Sequence, residues 1–377
     1  MKKVFIISAV LLLVTLIFLG IYNFAFKKET VVAVPKSLTN PIEESGASIP
    51  TPTEKIKAIS DSGVIGPVFD KKNGEIKYYD AATSFVWKMN PDGSKKQQIS
   101  STSVLGLKKV LWSQDLNRVL TVTEKDGKNF FYMYDYTTKQ GTLLKSGLDT
   151  AVWDNLGVKI FYKYFDEKTA QRSLNISNSN GGDFHKIADI IFRNISIAPV
   201  PLTSAVSFWN FPNQSEETLF QSVGVDGGEP KTILKGQYGA DYLWAPDGSR
   251  ALVSSLKNKE NKMVTLGIVF QNGIYQDLNI PTLVSKCTWS MDSKTVYYAL
   301  PGGIPTESIM PNDYQENKFN TDDTFWKLEV ATGRKERVIE ASEINGKYDS
   351  SQLFLAPEED GLYFINRADK KLYLISW

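Results

Sequence analysis

The stretch Tyr242 to Ser255, Y-L-W-A-P-D-G-S-R-A-L-V-S-S, decides the fold of this 377-residue chain. It reads as a short apolar strand ending in Trp244, a tight turn at Pro246-Asp247-Gly248, and a second strand from Ala251. Proline presets φ for an early turn position, aspartate hydrogen-bonds its own backbone, and glycine accepts the positive φ that closes the turn. The hairpin recurs. Aligning on the tryptophan gives seven units, anchored at Phe69, Trp112, Trp153, Ala198, Trp244, Trp289 and Leu355. Successive spacings are 43, 41, 45, 46, 45 and 66 residues. Between the anchors, short runs alternate on period 2 and are separated by Gly, Asn, Asp and Pro turns, with no convincing helical period. Periods of roughly 40–50 residues with about four strands each are the signature of a β-propeller. The expected fold class is therefore all-β, a propeller of four-stranded blades over residues 54–377. Seven blades are favoured; departures at Ala198 and Leu355 leave six or eight open.

Each unit follows the order a, b, c, d from the axis outward. In the first, strand a ends at Phe69, strand b is Ile76–Asp80, strand c Phe85–Met89 and strand d Gln97–Ser100. The fourth unit is the weakest, with Pro199 and Pro201 where the turn belongs, but Thr232–Leu234 still falls where a strand d is expected. The last unit ends after strand c. Glu54–Ser60 resembles the strand d at Lys95–Ser100, so this N-terminal segment is expected to complete the last blade and close the ring, removing two exposed sheet edges.

Trp244-Ala245-Pro246-Asp247-Gly248, Trp112-Ser113-Gln114-Asp115 and Trp289-Ser290-Met291-Asp292 resemble the TolB-like, WD-like propeller repeat of bacterial envelope proteins, whose hallmark is W-S-P-D-G between strands a and b. The resemblance covers residues 55–377 and is specific only to the repeat. It implies a scaffold for protein contacts; the same repeat also occurs beside hydrolase domains, for which this chain has no room.

The N-terminus carries a different signal. Lys2 and Lys3 precede an uncharged run from Val4 to Phe26, closed by Lys27 and Lys28. Its 23 residues exceed the roughly 20 needed to cross a ~30 Å hydrocarbon core. Residues 1–28 read as a transmembrane signal anchor rather than a cleaved signal peptide, whose apolar region is shorter. Residues 29–53, rich in Pro, Ser, Thr and Glu, read as a disordered tether. The expected location is the cell membrane, single-pass, with the propeller on the extracytoplasmic side.

Lys+Arg 43 against Asp+Glu 42 gives a net charge of +1, which offers no basic excess for a phosphate backbone, so nucleic acid is not an expected partner. One cysteine, Cys287, and one histidine, His185, allow neither an internal disulfide nor a Cys/His metal site. His185 falls at an outer strand, away from the channel, which argues against a Ser-His-Asp centre. No phosphate-binding glycine motif or G-x-S-x-G elbow is present, and no cofactor or metal is expected. The Pro-Asp-Gly aspartates form a ring through fold repetition. The three formal glycosylation sequons, at Asn175, Asn194 and Asn213, read as chance.

One large insertion, Pro301–Asp323, separates strands b and c of the sixth unit. It carries Glu307, Asp313, Tyr314, Glu316, Phe319, Asp322 and Asp323, and loops on a rigid scaffold are where binding residues concentrate. A solvated loop is the plain reading and a partner- or ligand-contacting loop the functional one. The favoured function is a non-catalytic scaffold that binds a protein or cell-envelope polymer. The alternative is an envelope glycan- or peptide-cleaving enzyme with carboxylates at the channel mouth.

Overall fold

The computed structural model describes residues 54–377. The expected anchor and tether lie outside the described residues. Among the described residues, no helix is long and apolar enough to cross a membrane.

Twenty-seven antiparallel strands make seven blades, and within each the chain steps from a strand to its immediate neighbour. The first strands of blades 1 to 4 touch in succession, as do those of blades 6 and 7, and so line the axis. Blade 1 runs from Val64–Asp70 through Glu75–Asp80 and Val86–Met89 to Gln97–Ser100, close to the spans expected from the period-2 runs. The opening hairpin is built as its residues dictate. Gly248 N–H donates to the Ala245 carbonyl at 2.9 Å, and the Asp247 carboxylate accepts from Ser249 N–H at 2.9 Å. Gly248 has φ +68°, and an added Cβ would lie 2.3 Å from the Pro201 carbonyl oxygen of blade 4, so this position requires glycine twice over.

One difference from the expected pattern concerns blades 4 and 5. Strand d of blade 4 and strand a of blade 5 form a single strand, Lys231–Trp244, which makes the two blades one seven-stranded sheet. Gly236 and Gly239, both at positive φ, let this strand turn from the rim to the axis.

The ring closes as the sequence implies. Ile56–Ala58 pairs antiparallel with the last strand, Ile56 opposite Ile375 and Ala58 opposite Tyr373. Ile56 is buried among residues of blades 6 and 7. Each remaining blade rests on the previous one through apolar layers, for example Phe161, Leu174 and Ile176 of blade 3 against Ile197, Val206 and Phe208 of blade 4. The anchoring tryptophans add a polar link. The indole N–H of Trp112 donates to the Gly66 carbonyl at 2.8 Å, and that of Trp153 to the Leu111 carbonyl at 2.8 Å. Trp244 reaches Ser207 Oγ at 2.9 Å and Trp289 the Leu243 carbonyl at 3.2 Å. Every acceptor belongs to the preceding blade.

If the clasp holds the ring shut, Ile56→Ala lowers stability by about 2–5 kcal/mol, the usual range for truncating a buried isoleucine. An unchanged midpoint in urea denaturation would show that the closing strand contributes nothing.

Candidate functional site

The site begins with irregularities in the innermost strands. In five blades strand a is bulged, between Ile65 and Val68, Leu107 and Lys109, Leu148 and Thr150, Tyr238 and Asp241, and Ser351 and Phe354. A bulge re-aims side chains locally. Beside these bulges, Lys109, Asp149, Asp241 and Gln352 line cavities at the channel mouth, on the face that also carries the b–c loops. One cavity, of about 550 Å³, is bounded by Lys109, Asn129, Asp149 and Asn194. The other, about 420 Å³, is bounded by Asp241, Ser285, Tyr314, Gln352, Arg367 and Lys370. They adjoin at Ser196 and Phe211, and Phe211 is 49% exposed there.

The charges of the mouth are unequal in character. Burial pushes the Asp241 carboxyl up to about 6, although Trp209 Nε1 donates to it at 2.9 Å and Tyr242 N–H at 3.1 Å. Lys109, by contrast, is exposed to solvent. Asp149 is 43% exposed and pairs with Lys163, whose Nζ lies 2.5 Å away. The buried Lys163 has a second partner in the Arg193 carbonyl.

Behind the second cavity lies a buried ionic cluster that fixes its wall. Lys286 Nζ donates to Asp323 at 2.7 Å, Asp349 at 2.8 Å, Thr321 Oγ1 at 3.0 Å and the Ser350 carbonyl at 2.9 Å. Burial works against its charge, but Asp323 outweighs it, with Tyr314 and Asp349, and the ammonium is held above its usual value. Asp349 is treated likewise: burial would raise it, while Lys286, Tyr314 and Arg367 together hold it below the ordinary carboxylate range. Tyr314 Oη donates to Asp349 at 2.5 Å, and the Arg367 guanidinium stacks 3.8 Å from the Tyr314 ring centre. Arg367 also donates to the Tyr314 carbonyl at 2.9 Å.

The insertion of blade 6 is thus split in its roles. Tyr314 and Asp323 belong to the buried cluster, and Phe319 packs against Tyr314 with ring centres 5.9 Å apart. Glu307 is exposed and pairs with Lys262 of blade 5 at 2.6 Å. Asp313 and Glu316 both pair with Lys318, at 2.6 and 2.9 Å, and exposed Asp322 pairs with Lys347 at 3.1 Å. The structure brings Tyr314, Phe319 and Asp323 together and disperses the four other acids over the surface. The insertion also reaches across the mouth, since Asn312 Oδ1 accepts from Gln214 N–H of blade 4 at 2.8 Å. It acts as a packed strap over one side of the channel.

Asp241, Lys109, Asp149, Phe211 and Arg367 were not singled out by sequence reasoning. A signal for the first two exists in the repeat. Three residues before each anchor stand Gly66, Lys109, Thr150, Ile195, Asp241, Lys286 and Gln352. Of the three charged residues at this position, Lys109 and Asp241 line the two cavities, and Lys286 lies behind them in the buried cluster. His185 opens the outer strand His185–Asp189 and is exposed, and Cys287 is buried, its thiol pushed up by burial. Among the described residues, no three His, Cys, Asp or Glu side chains are grouped to hold a metal ion.

No family model matches the chain, and no curated protein matches it. Solved structures do. An oligogalacturonate lyase in complex with manganese is 13% identical, with a TM-score of 0.64 over 85% of this chain and 92% of that one. Oligogalacturonate lyase from Vibrio parahaemolyticus gives 11% and 0.62, over 85% and 93%. The propeller domain of the trilobed protease from Pyrococcus furiosus, described as having an open velcro topology, gives 9% and 0.55, over 83% and 95%. The chain has a β-propeller fold. At these identities the likeness speaks for the fold alone, and the Ile56–Ala58 clasp gives this ring a closed seam.

Lys286→Met leaves the buried Asp323 carboxylate without a cation and Asp349 with Arg367 alone, and is expected to cost about 3–5 kcal/mol at neutral pH. Asp349 has its folded-state pKa depressed, so its contribution is present above the ordinary carboxylate value and is lost as pH falls through the lower folded one. The gap between Lys286→Met and wild type should therefore shrink in acid, as read by urea midpoints across pH. Asp241 behaves oppositely. Its folded pKa near 6 exceeds the unfolded value near 4, so stability falls as pH rises between them and stays lower above. Asp241→Asn, which keeps an acceptor for Trp209, should gain on the order of 2 kcal/mol above pH 6 relative to its effect at pH 4. An equal effect at both pH values would contradict the assignment.

Proposed function

We propose that this protein is a membrane-tethered, extracytoplasmic propeller that binds a protein or a cell-envelope polymer at the channel mouth without cleaving it. The apolar run Val4–Phe26 and the polar stretch 29–53 support the tether. The observation that carries the binding role is the half-exposed Phe211 at the junction of two cavities, with Lys109 on one side and Arg367 on the other. An aromatic anchor flanked by fixed charges is the composition of an interaction hot spot. Arg367 is held by Tyr314 and Asp349, so the partner meets a surface organised before it arrives. The blade 6 strap narrows one side and favours an extended segment.

The alternative is an enzyme that cleaves an envelope glycan or peptide. It is supported by Asp241, whose carboxyl near 6 suits proton transfer close to neutral pH. It ranks second because each mouth cavity is lined by a single carboxylate, Asp149 in one and Asp241 in the other, and Asp149 is already paired. Paired-carboxylate cleavage of a glycan needs two facing the same bond.

The test is affinity capture from detergent-solubilised envelopes with the full chain, run in parallel with Phe211→Ala. A specific protein or polymer should be retained by wild type and at least tenfold less by the variant. Retention unchanged by Phe211→Ala would remove the mouth from the reading. Turnover of an envelope polymer, abolished by Asp241→Asn, would establish the enzyme instead.

A further inference from the structure

A cavity larger than either of those at the mouth lies elsewhere. It measures about 820 Å³, sits between the flanks of blades 1 and 2, and shares no lining residue with the two cavities of the mouth. Small-molecule sites occupy roughly 300–1,000 Å³.

The space exists because this seam is underfilled. Its buried apolar layer is only Tyr79, Val86, Val110 and Val119, whereas each of the other six inter-blade layers holds nine or more buried residues. The cause is legible in the strands. In blade 2, strand Arg118–Lys125 turns Leu120 and Val122 toward blade 3 but Thr121 and Thr123 into the cleft. On the outer strand, Gly141 contributes no side chain, and an added Cβ there would meet only Tyr134 Cδ2 at 3.6 Å and Met133 O at 3.8 Å.

The lining has a consistent chemistry. Phe130, Tyr132 and Tyr134 present aromatic rings, and Tyr132 is 40% exposed. Ser100, Thr102 and Ser103 supply a fringe of hydroxyls opposite. The only charges are Glu124 and Lys125, of opposite sign, and Glu124 is paired with Lys108 at 3.3 Å. Tyr79 and Tyr136 hydrogen-bond each other at 3.0 Å, and burial raises both phenols, so they stay neutral at physiological pH. A matching ligand is uncharged, with flat C–H faces to lie on the rings and hydroxyl edges to meet the fringe. Those are the properties of a sugar ring.

We propose that the cleft between blades 1 and 2 is a second binding site, taking a short stretch of uncharged oligosaccharide. The rings hold the C–H faces of successive sugars, and the Ser and Thr hydroxyls exchange hydrogen bonds with their edges. This site is independent of the mouth and does not rest on the function proposed for it.

The experiment is calorimetric titration of the full chain in lipid nanodiscs with three neutral probes, cellohexaose, chitohexaose and maltohexaose. At least one should bind, with an affinity unchanged between pH 5.5 and 8. Gly141→Trp, which fills the cleft, and Tyr132→Ala should each weaken binding at least tenfold, while Phe211→Ala at the mouth leaves it unaltered. If Gly141→Trp fails to fold, Leu105→Asp places a charge in the lining at an 89%-exposed position and should produce the same loss. Binding by none of the three probes overturns the proposal. So does binding insensitive to the cleft variants, equal affinity for hexagalacturonate, or a neutral apolar peptide that displaces the sugar with higher affinity.

Discussion

A propeller stands or falls on the contact between adjacent blades, because no single four-stranded sheet buries enough surface alone. In this chain the contact is specified by one repeated interaction, a tryptophan at the end of strand a whose indole N–H reaches back to the previous blade. The ring supplies apolar area and the N–H supplies direction, so each blade is seated at a defined rotation on its predecessor. Where the tryptophan is missing, other contacts substitute. Phe69 of blade 1 packs edge-on against Tyr363 of blade 7, with ring centres 6.3 Å apart. Blade 4, anchored at Ala198, is seated on blade 3 by the apolar layer in which Ile197, Val206 and Phe208 meet Phe161, Leu174 and Ile176.

This explains why the fold was so readable. The tryptophans, the turn residues and the 41–46-residue spacing of the first six anchors are all local consequences of one demand, that every blade make the same corner. The clasp was readable for a related reason: a last unit lacking its outer strand and a surplus strand at the other end imply each other. The merged strand Lys231–Trp244 was not, since nothing in Thr232–Leu234 announces that the chain continues unbroken to the next axis strand.

The candidate site was far less legible. Acidic residues of the insertion looked like the chemistry, but Glu307, Asp313, Glu316 and Asp322 are satisfied by nearby lysines on the surface. Asp323 resembles them in sequence and differs entirely in place, because its carboxylate meets Lys286 from the start of blade 6 and Ser350 from blade 7. Lys286 and Asp349 are 63 residues apart, and no local pattern connects them. Sites in a propeller are assembled across blades, so their members share a position within the repeat rather than a neighbourhood in the chain. Reading down the repeat, at the position three before each anchor, recovers Lys109 and Asp241 where reading along it does not.

The continuous strand has a mechanical consequence. Blades 4 and 5 cannot part without breaking main-chain pairing on both sides of Gly236, so the ring has six joints instead of seven. The sparsest of the six, with four buried residues, is the one between blades 1 and 2. Strain applied anywhere on the rim is borne unequally, with a rigid arc on one side and a compliant seam on the other. Thermal breathing, solvent entry and the first step of unfolding should therefore all begin at the same place.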